Sequence, residues 1–119
     1  MAWEVEFTHE FGAWWAGLAP EQQEDVAESV RLLIDFGPAL RFPHSSKIVT
    51  SAYPQMRELR TQGGGRPLRS LYAFDPLRNA VLLIGGDKTG DDRWYETFVP
   101  RADRIFEEYL RELMWEGRL

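Results

Sequence analysis

The stretch MRELRTQGGGRPLR, residues 56–69, sets Glu58 among Arg57, Arg60, Arg66 and Arg69 across three consecutive glycines. Lys88 and the pair Trp94–Tyr95 come further along. These are the groups able to do chemistry. Guanidinium ions grip phosphate oxygens and stabilise the charge that develops on them. A carboxylate takes up a proton, and an ammonium or a phenol gives one. Fixed cations, a carboxylate and a phenol around one concavity suit a phosphodiester.

The arginines fit two arrangements. Side chains alternate faces along a strand, so Met56, Glu58 and Arg60 share one face while Arg57 and Leu59 take the other. An antiparallel return strand brings Arg69 beside Arg60, and like charges opposed across strands cost roughly some tenths of a kcal/mol. Either Glu58 offsets that repulsion as an ion pair, or a phosphate does so on binding. Trp94 has the same ambiguity, as a core anchor for the last helix or a surface for a ligand.

The glycines do not form a phosphate-binding loop. No GxxxxGK[ST] pattern is present, no helix follows GGG, and GGDKTG at 85–90 lacks dinucleotide-fingerprint spacing. They read as turn formers.

The elements that must position these groups follow from hydrophobic period. WEVEF at 3–7 alternates as a half-buried strand does. EFGAWWAGL at 10–18 places Phe11, Trp14, Trp15 and Leu18 at helical spacing. Pro20 opens a longer helix whose first turn is rich in acid and amide groups; Val26, Val30, Leu33 and Ile34 form its stripe, and Gly37–Pro38 stops it. Residues 38–55, punctuated by Pro38, Pro43 and Pro54, read as loop. MRELR (56–60) and LRSLYAF (68–74) read as strands joined by TQGGGRP, and AVLLIG (80–85) as a central strand covered on both faces. From Trp94 to about Leu113 the pattern is helical, with an interruption expected near Pro100. The expected fold is α+β: a mainly antiparallel sheet of about four strands, two N-terminal helices packed on it, and a C-terminal helix.

At 119 residues, the chain is expected to form a single domain spanning 1–119. It has no cysteine, which excludes disulfides and thiolate chemistry, and His9 and His44 lack metal-ligand spacing. Neither metal nor cofactor is expected. The formal charge is −5, yet of the 14 basic and 19 acidic residues, seven and five fall between Arg57 and Arg93. That leaves seven basic against fourteen acidic elsewhere, a focused anion site in an acidic frame rather than a coat for nucleic acid. The opening MAWEVEFTHEF carries acids where a secretion signal needs basic residues, and no apolar run approaches the roughly 20 residues that span a bilayer. The expected location is the cytoplasm, with no membrane partner.

Taken in order, MRELR, RSLYAF, the strand end LLIGGDK and the helix carrying AD and late aromatics resemble the RelE/ParE superfamily of bacterial toxins, in its HigB-like, phage Gp49-like branch. WEVEFTHEFGAWWAGL and LIDFGPAL resemble the same branch, so the likeness covers essentially the whole chain. It implies helices on one face of an antiparallel sheet. It also implies an endoribonuclease toxin that cuts mRNA, generally at the ribosome, and is silenced by a cognate antitoxin, usually a helix-turn-helix protein of the HigA type. A complex of that kind binds operator DNA through the antitoxin. Arg69 matches the arginine opening the RLVY-type strand, Lys88 the basic position after the central strand, Tyr95 the site residue following it, and Arg60 a basic position on the preceding strand. Where RelE-type strands carry lysines, this chain has Met56 and Glu58.

On that resemblance the catalytic set is Arg69, Lys88, Tyr95 and Glu58, with Arg57, Arg60, Arg66 and Trp94 holding RNA. The 2′-hydroxyl would attack the adjacent phosphorus to give a 2′,3′-cyclic phosphate. Arg69, helped by Arg60, stabilises the phosphoryl oxygens; Glu58 or Tyr95 acts as base; Lys88 serves the leaving oxygen. Tyr and Lys titrate at about 10, so either role requires the site, or the ribosome, to supply more. Two other classes fit the superfamily: a ParE-like inhibitor of DNA gyrase, and an inert interaction module.

Overall fold

The computed structural model describes residues 2–119. In chain order it contains β1 (Val5–Phe7), α1 (His9–Ala16), α2 (Pro20–Phe36), β2 (Ser45–Lys47), β3 (Met56–Gly63), β4 (Arg66–Phe74), β5 (Ala80–Asp87) and α3 (Trp94–Trp115). The sheet has five strands in the order β1-β5-β4-β3-β2, all pairs antiparallel except β1 with β5. The α+β class holds, with one strand more than expected.

Local chemistry explains the boundaries. Thr8 caps α1: its Oγ1 accepts from Phe11 N at 3.1 Å and donates to Leu83 O at 2.6 Å, which ties the helix to β5. Pro20 starts α2, and Gln22 Oε1 reaches back to accept from Ala19 N. The connection anticipated over 61–67 shrinks to Gly64–Gly65. With φ of 60° and 77°, both glycines occupy the left-handed region, as a two-residue hairpin loop demands. The strands therefore run longer than their apolar runs.

Strand alternation sends the core in two directions. Phe11, Val26, Leu33, Leu59, Leu68, Tyr72 and Leu82 pack between the sheet and α1–α2. Met56, Leu71, Val81, Trp94, Val99, Ala102 and Phe106 pack between its other face and α3. This corrects the expectation of helices on one face, because even and odd positions of β4 are both apolar and each face needs cover. Gly85 and Gly86 mark where the two layers press closest. A Cβ on Gly85 would overlap the Trp14 ring, and one on Gly86 would lie 2.7 Å from Trp94 Nε1. These glycines exist for packing.

Two further differences have physical reasons. The α3 helix runs through Pro100 without a break, although Pro100 has no N–H to give the Glu96 carbonyl. Burial of Val99, Ala102, Phe106 and Leu113 along one stripe holds it together. The loop expected over 38–55 contains β2, whose sequence SSK has no apolar period. Among the described residues, no helix is long and apolar enough to cross a membrane.

Candidate active site around Glu58

Register brings the predicted groups together. Arg60 stands opposite Arg69, and Glu58 opposite Leu71, all on the face that α3 covers. Glu58 is 4% exposed and Arg69 7%. Burying a carboxylate demands partners, and Glu58 has them on both oxygens. Its Oε1 accepts from the Tyr95 hydroxyl at 2.6 Å and lies 3.4 Å from Arg69 Nε. Its Oε2 accepts from Ser46 Oγ at 2.7 Å and lies 3.6 Å from Arg60 Nη1.

Arg69 is held from a second direction by its Nη1 bond to Leu68 O at 3.0 Å. Its Nε, although near Glu58, makes no directed hydrogen bond and is fully buried. Lys88 extends β5 by a backbone bond to Pro67 O at 3.1 Å, and its Nζ sits 5.1 Å from the centre of the Tyr95 ring. Asp87 steadies that strand end. Partial burial works against its ionisation, but hydrogen bonds from Thr89 and the Arg66 guanidinium 3.2 Å away hold its carboxyl below the usual range.

Tyr95 is a donor here. Burial first, and then the hydrogen bond to Glu58, raise its pKa above the ordinary tyrosine value, against a smaller opposing effect of Arg69. A phenol so held keeps its proton near neutrality and donates it in a hydrogen bond to the Glu58 carboxylate. Arg69 and Lys88 meet through Tyr95 and Glu58 by contact. Together they form a closed, self-paired cluster. A cavity of about 690 Å³ adjoins it on the Arg60 side, lined by His44, Arg60, Thr61 and Gln62 together with α2 residues.

Three predicted RNA contacts lie elsewhere. Arg57 points to the opposite face, where its Nε donates to Ser45 Oγ at 3.1 Å and Ser45 Oγ meets Tyr72 Oη at 2.7 Å. Arg66 is at the exposed hairpin end, paired with Asp87. Trp94 is 1% exposed, stacked on Phe98 at 4.5 Å and edge-on to Tyr95, so it has no free face for a base. Its neighbour Gly86 leaves room for this packing: a Cβ there would lie 2.7 Å from Trp94 Nε1.

Sequence reasoning missed Ser46, because β2 carries no strand signature. It also passed over Phe42. That ring is 70% exposed, and the Arg60 guanidinium carbon stands 5.0 Å from its centroid.

Comparison with known proteins agrees with this architecture. Residues 13–107 match the family described as phage derived protein Gp49-like (DUF891). HigB3 of Mycobacterium tuberculosis (strain ATCC 25618 / H37Rv), designated a candidate toxin, is 40% identical over 98 residues, which are 82% of this chain and 84% of that protein. HigB2 of the same strain, designated likewise, is 38% identical over 102 residues, 84% of this chain; the chain spans about half of that protein's length, 51%. Among solved structures, isolated E. coli RelE toxin superposes with a TM-score of 0.61 at 13% identity, covering 82% of this chain and 96% of that one. RelE in the archaeal RelE–RelB complex from Pyrococcus horikoshii OT3 superposes with 0.56 at 14% identity, covering 76% and 99%. At such identities the shared feature is the fold.

Proposed function

Since this chain belongs to the phage-derived Gp49-like family, the HigB-like branch of the RelE/ParE superfamily, we propose that it is the toxin of a toxin–antitoxin pair and acts as an mRNA endoribonuclease on the ribosome. The observation that carries this reading is the buried Glu58 carboxylate, bonded to Tyr95 and flanked by Arg69 and Arg60, with Lys88 against the Tyr95 ring. A base, two guanidinium ions and an ammonium are the groups that RNA's own 2′-hydroxyl needs to attack its phosphorus.

The closed cluster suggests how the reaction begins. Glu58 occupies the place of an anion between two arginines. An incoming phosphate takes guanidinium hydrogen bonds, the undirected Arg69 Nε among them, and frees a lone pair of the carboxylate. Glu58 then removes the 2′-hydroxyl proton as the O2′–P bond forms. Arg69 and Arg60 hold the charge on the equatorial oxygens. The P–O5′ bond breaks, and Lys88 gives its proton to the departing oxygen, leaving a 2′,3′-cyclic phosphate and a 5′-hydroxyl. Tyr95 and Ser46 keep the carboxylate aimed. A site that must first exchange partners is slow alone, which favours a substrate positioned by the ribosome.

The proposed partner is a cognate antitoxin, by analogy with the toxin–antitoxin complex in which E. coli RelE is found, of the helix-turn-helix type that the HigB-like resemblance implies. The test is induction without antitoxin, with RNA 5′ ends mapped on ribosome-bound messages. New 5′-hydroxyl ends that vanish in Glu58→Gln are expected. Intact messages would overturn the reading, and DNA damage signalling in their place would favour gyrase.

A further inference from the structure

Glu58 lies between two cation-over-ring pairs. On the Oε1 side, Lys88 covers Tyr95, whose ring is half-buried and committed by its hydroxyl. On the Oε2 side, Arg60 covers Phe42, and that ring is 70% exposed. We infer that Phe42 and Arg60 form a stacking platform for one unpaired RNA base next to the phosphate that is cut.

Single exposed aromatics need no explanation by themselves. Phe42 differs in its setting. Arg60 stands 5.0 Å from the ring centre and 3.6 Å from the Glu58 carboxylate, so a single guanidinium separates the ring from the base of the reaction. The ring is also placed in advance. His44 N and Ser45 N both donate to Arg41 O, at 3.0 and 3.1 Å, and Arg60 N donates to His44 O at 2.9 Å, which fastens the 41–45 turn to β3 beside the site. Single-stranded RNA is read by stacking its bases on aromatic rings and guanidinium planes while cations hold the phosphates. The other exposed rings, Phe7, Trp15, Phe36 and Trp115, touch none of Arg60, Arg69 or Lys88 through a cation–ring contact.

The platform rests on the ribonuclease reading, and the two fail separately. Purified protein is titrated with a fluorescent uridine-rich RNA octamer over a salt series, for the parent, Phe42→Ala and Phe42→Trp. RNA ends are mapped for the same set and for Glu58→Gln. Stacking is worth about 1–3 kcal/mol per base, so Phe42→Ala weakens the octamer by about tenfold while Phe42→Trp restores it. The salt slope stays unchanged, because no phosphate contact is lost. Phe42→Ala also alters the sequence context of the cuts. Parental affinity and an unchanged cut pattern in Phe42→Ala overturn the platform and leave the nuclease standing. So does a loss that appears as a changed salt slope, or that Phe42→Trp fails to restore. Ends that persist in Glu58→Gln show instead that the underlying catalytic assignment is wrong.

Discussion

The Tyr95 hydroxyl donates to Glu58 Oε1 at 2.6 Å across the gap between α3 and β3, joining the first turn of one helix to the middle of a strand 37 residues earlier. Because the phenol is a proton-holding donor, its proposed work is to orient the carboxylate. Tyr95→Phe keeps the ring under Lys88 and removes that bond alone. A hydrogen bond to a charged group contributes about 1.5–3 kcal/mol, so cleavage falls by roughly tenfold or more. The loss should lie in turnover rather than in RNA affinity, which single-turnover rates at saturating ribosomes will separate.

Arg69 and Glu58 depend on one another for stability. With both side chains almost wholly buried, Arg69→Ala leaves a carboxylate with its main counter-ion gone. Breaking a buried pair in this way costs about 3–5 kcal/mol. The double variant Arg69→Met with Glu58→Gln should recover most of that loss while staying inactive. Thermal melts of Arg69→Met, Glu58→Gln and the double form a cycle, and additive effects would show that the pair does not couple.

How much of this was legible follows from where the signal lies. The strands β3, β4 and β5 and the helices α1, α2 and α3 announce themselves by pattern, and of Glu58, Arg60, Arg69, Lys88 and Tyr95 the first three converge because strand parity and one hairpin place them. Parity also assigned Arg57 to the other face. Placement beyond local pattern was not legible. Trp94 is as apolar in a core as on a surface, and its role is decided by Gly86 beneath it. Ser46 belongs to a three-residue edge strand whose existence depends on pairing with Arg57, Glu58 and Leu59. The side taken by α3 depends on both faces of β4 and β5 requiring cover, which is a property of the assembled sheet.

Gly85, whose open side faces Trp14 on the sheet face opposite the Glu58 cluster, gives a stability test separate from the chemistry. Gly85→Ala drives a methyl into the Trp14 ring, which is itself wedged against Phe11 at 5.5 Å. Overpacking of this kind costs about 1–3 kcal/mol. A lowered melting temperature is expected, with RNA ends still formed at permissive temperature. Gly90→Ala, with open space around it but a φ of 67°, should cost about 1 kcal/mol through backbone strain instead. If Gly85→Ala melts with the parent, the close approach of α1 to β5 is wrong.

A last relationship sits at the far end of α3. The Tyr109 hydroxyl contacts Glu6 Oε2 at 2.8 Å and Asp75 Oδ2 at 2.9 Å, so one phenolic proton is shared between two carboxylates, one of them buried. Burial first, then these two acceptors, push the Tyr109 pKa well above the ordinary 10. The folded chain therefore keeps a proton that the unfolded chain releases above about pH 10. With fewer protons bound in the unfolded state, stability must fall as pH rises from that point. The contribution is fully present below pH 10. Tyr109→Phe lacks the titrating group, so its melting temperature should start lower at pH 8 and fall less steeply than the parent's between pH 9.5 and 11. Tyr53 and Tyr95, also shifted upward, remain in both proteins and cancel in the difference. Parallel slopes for the two proteins would mean that Tyr109 is not the proton holder that ties α3 to β1 and to the β4–β5 turn.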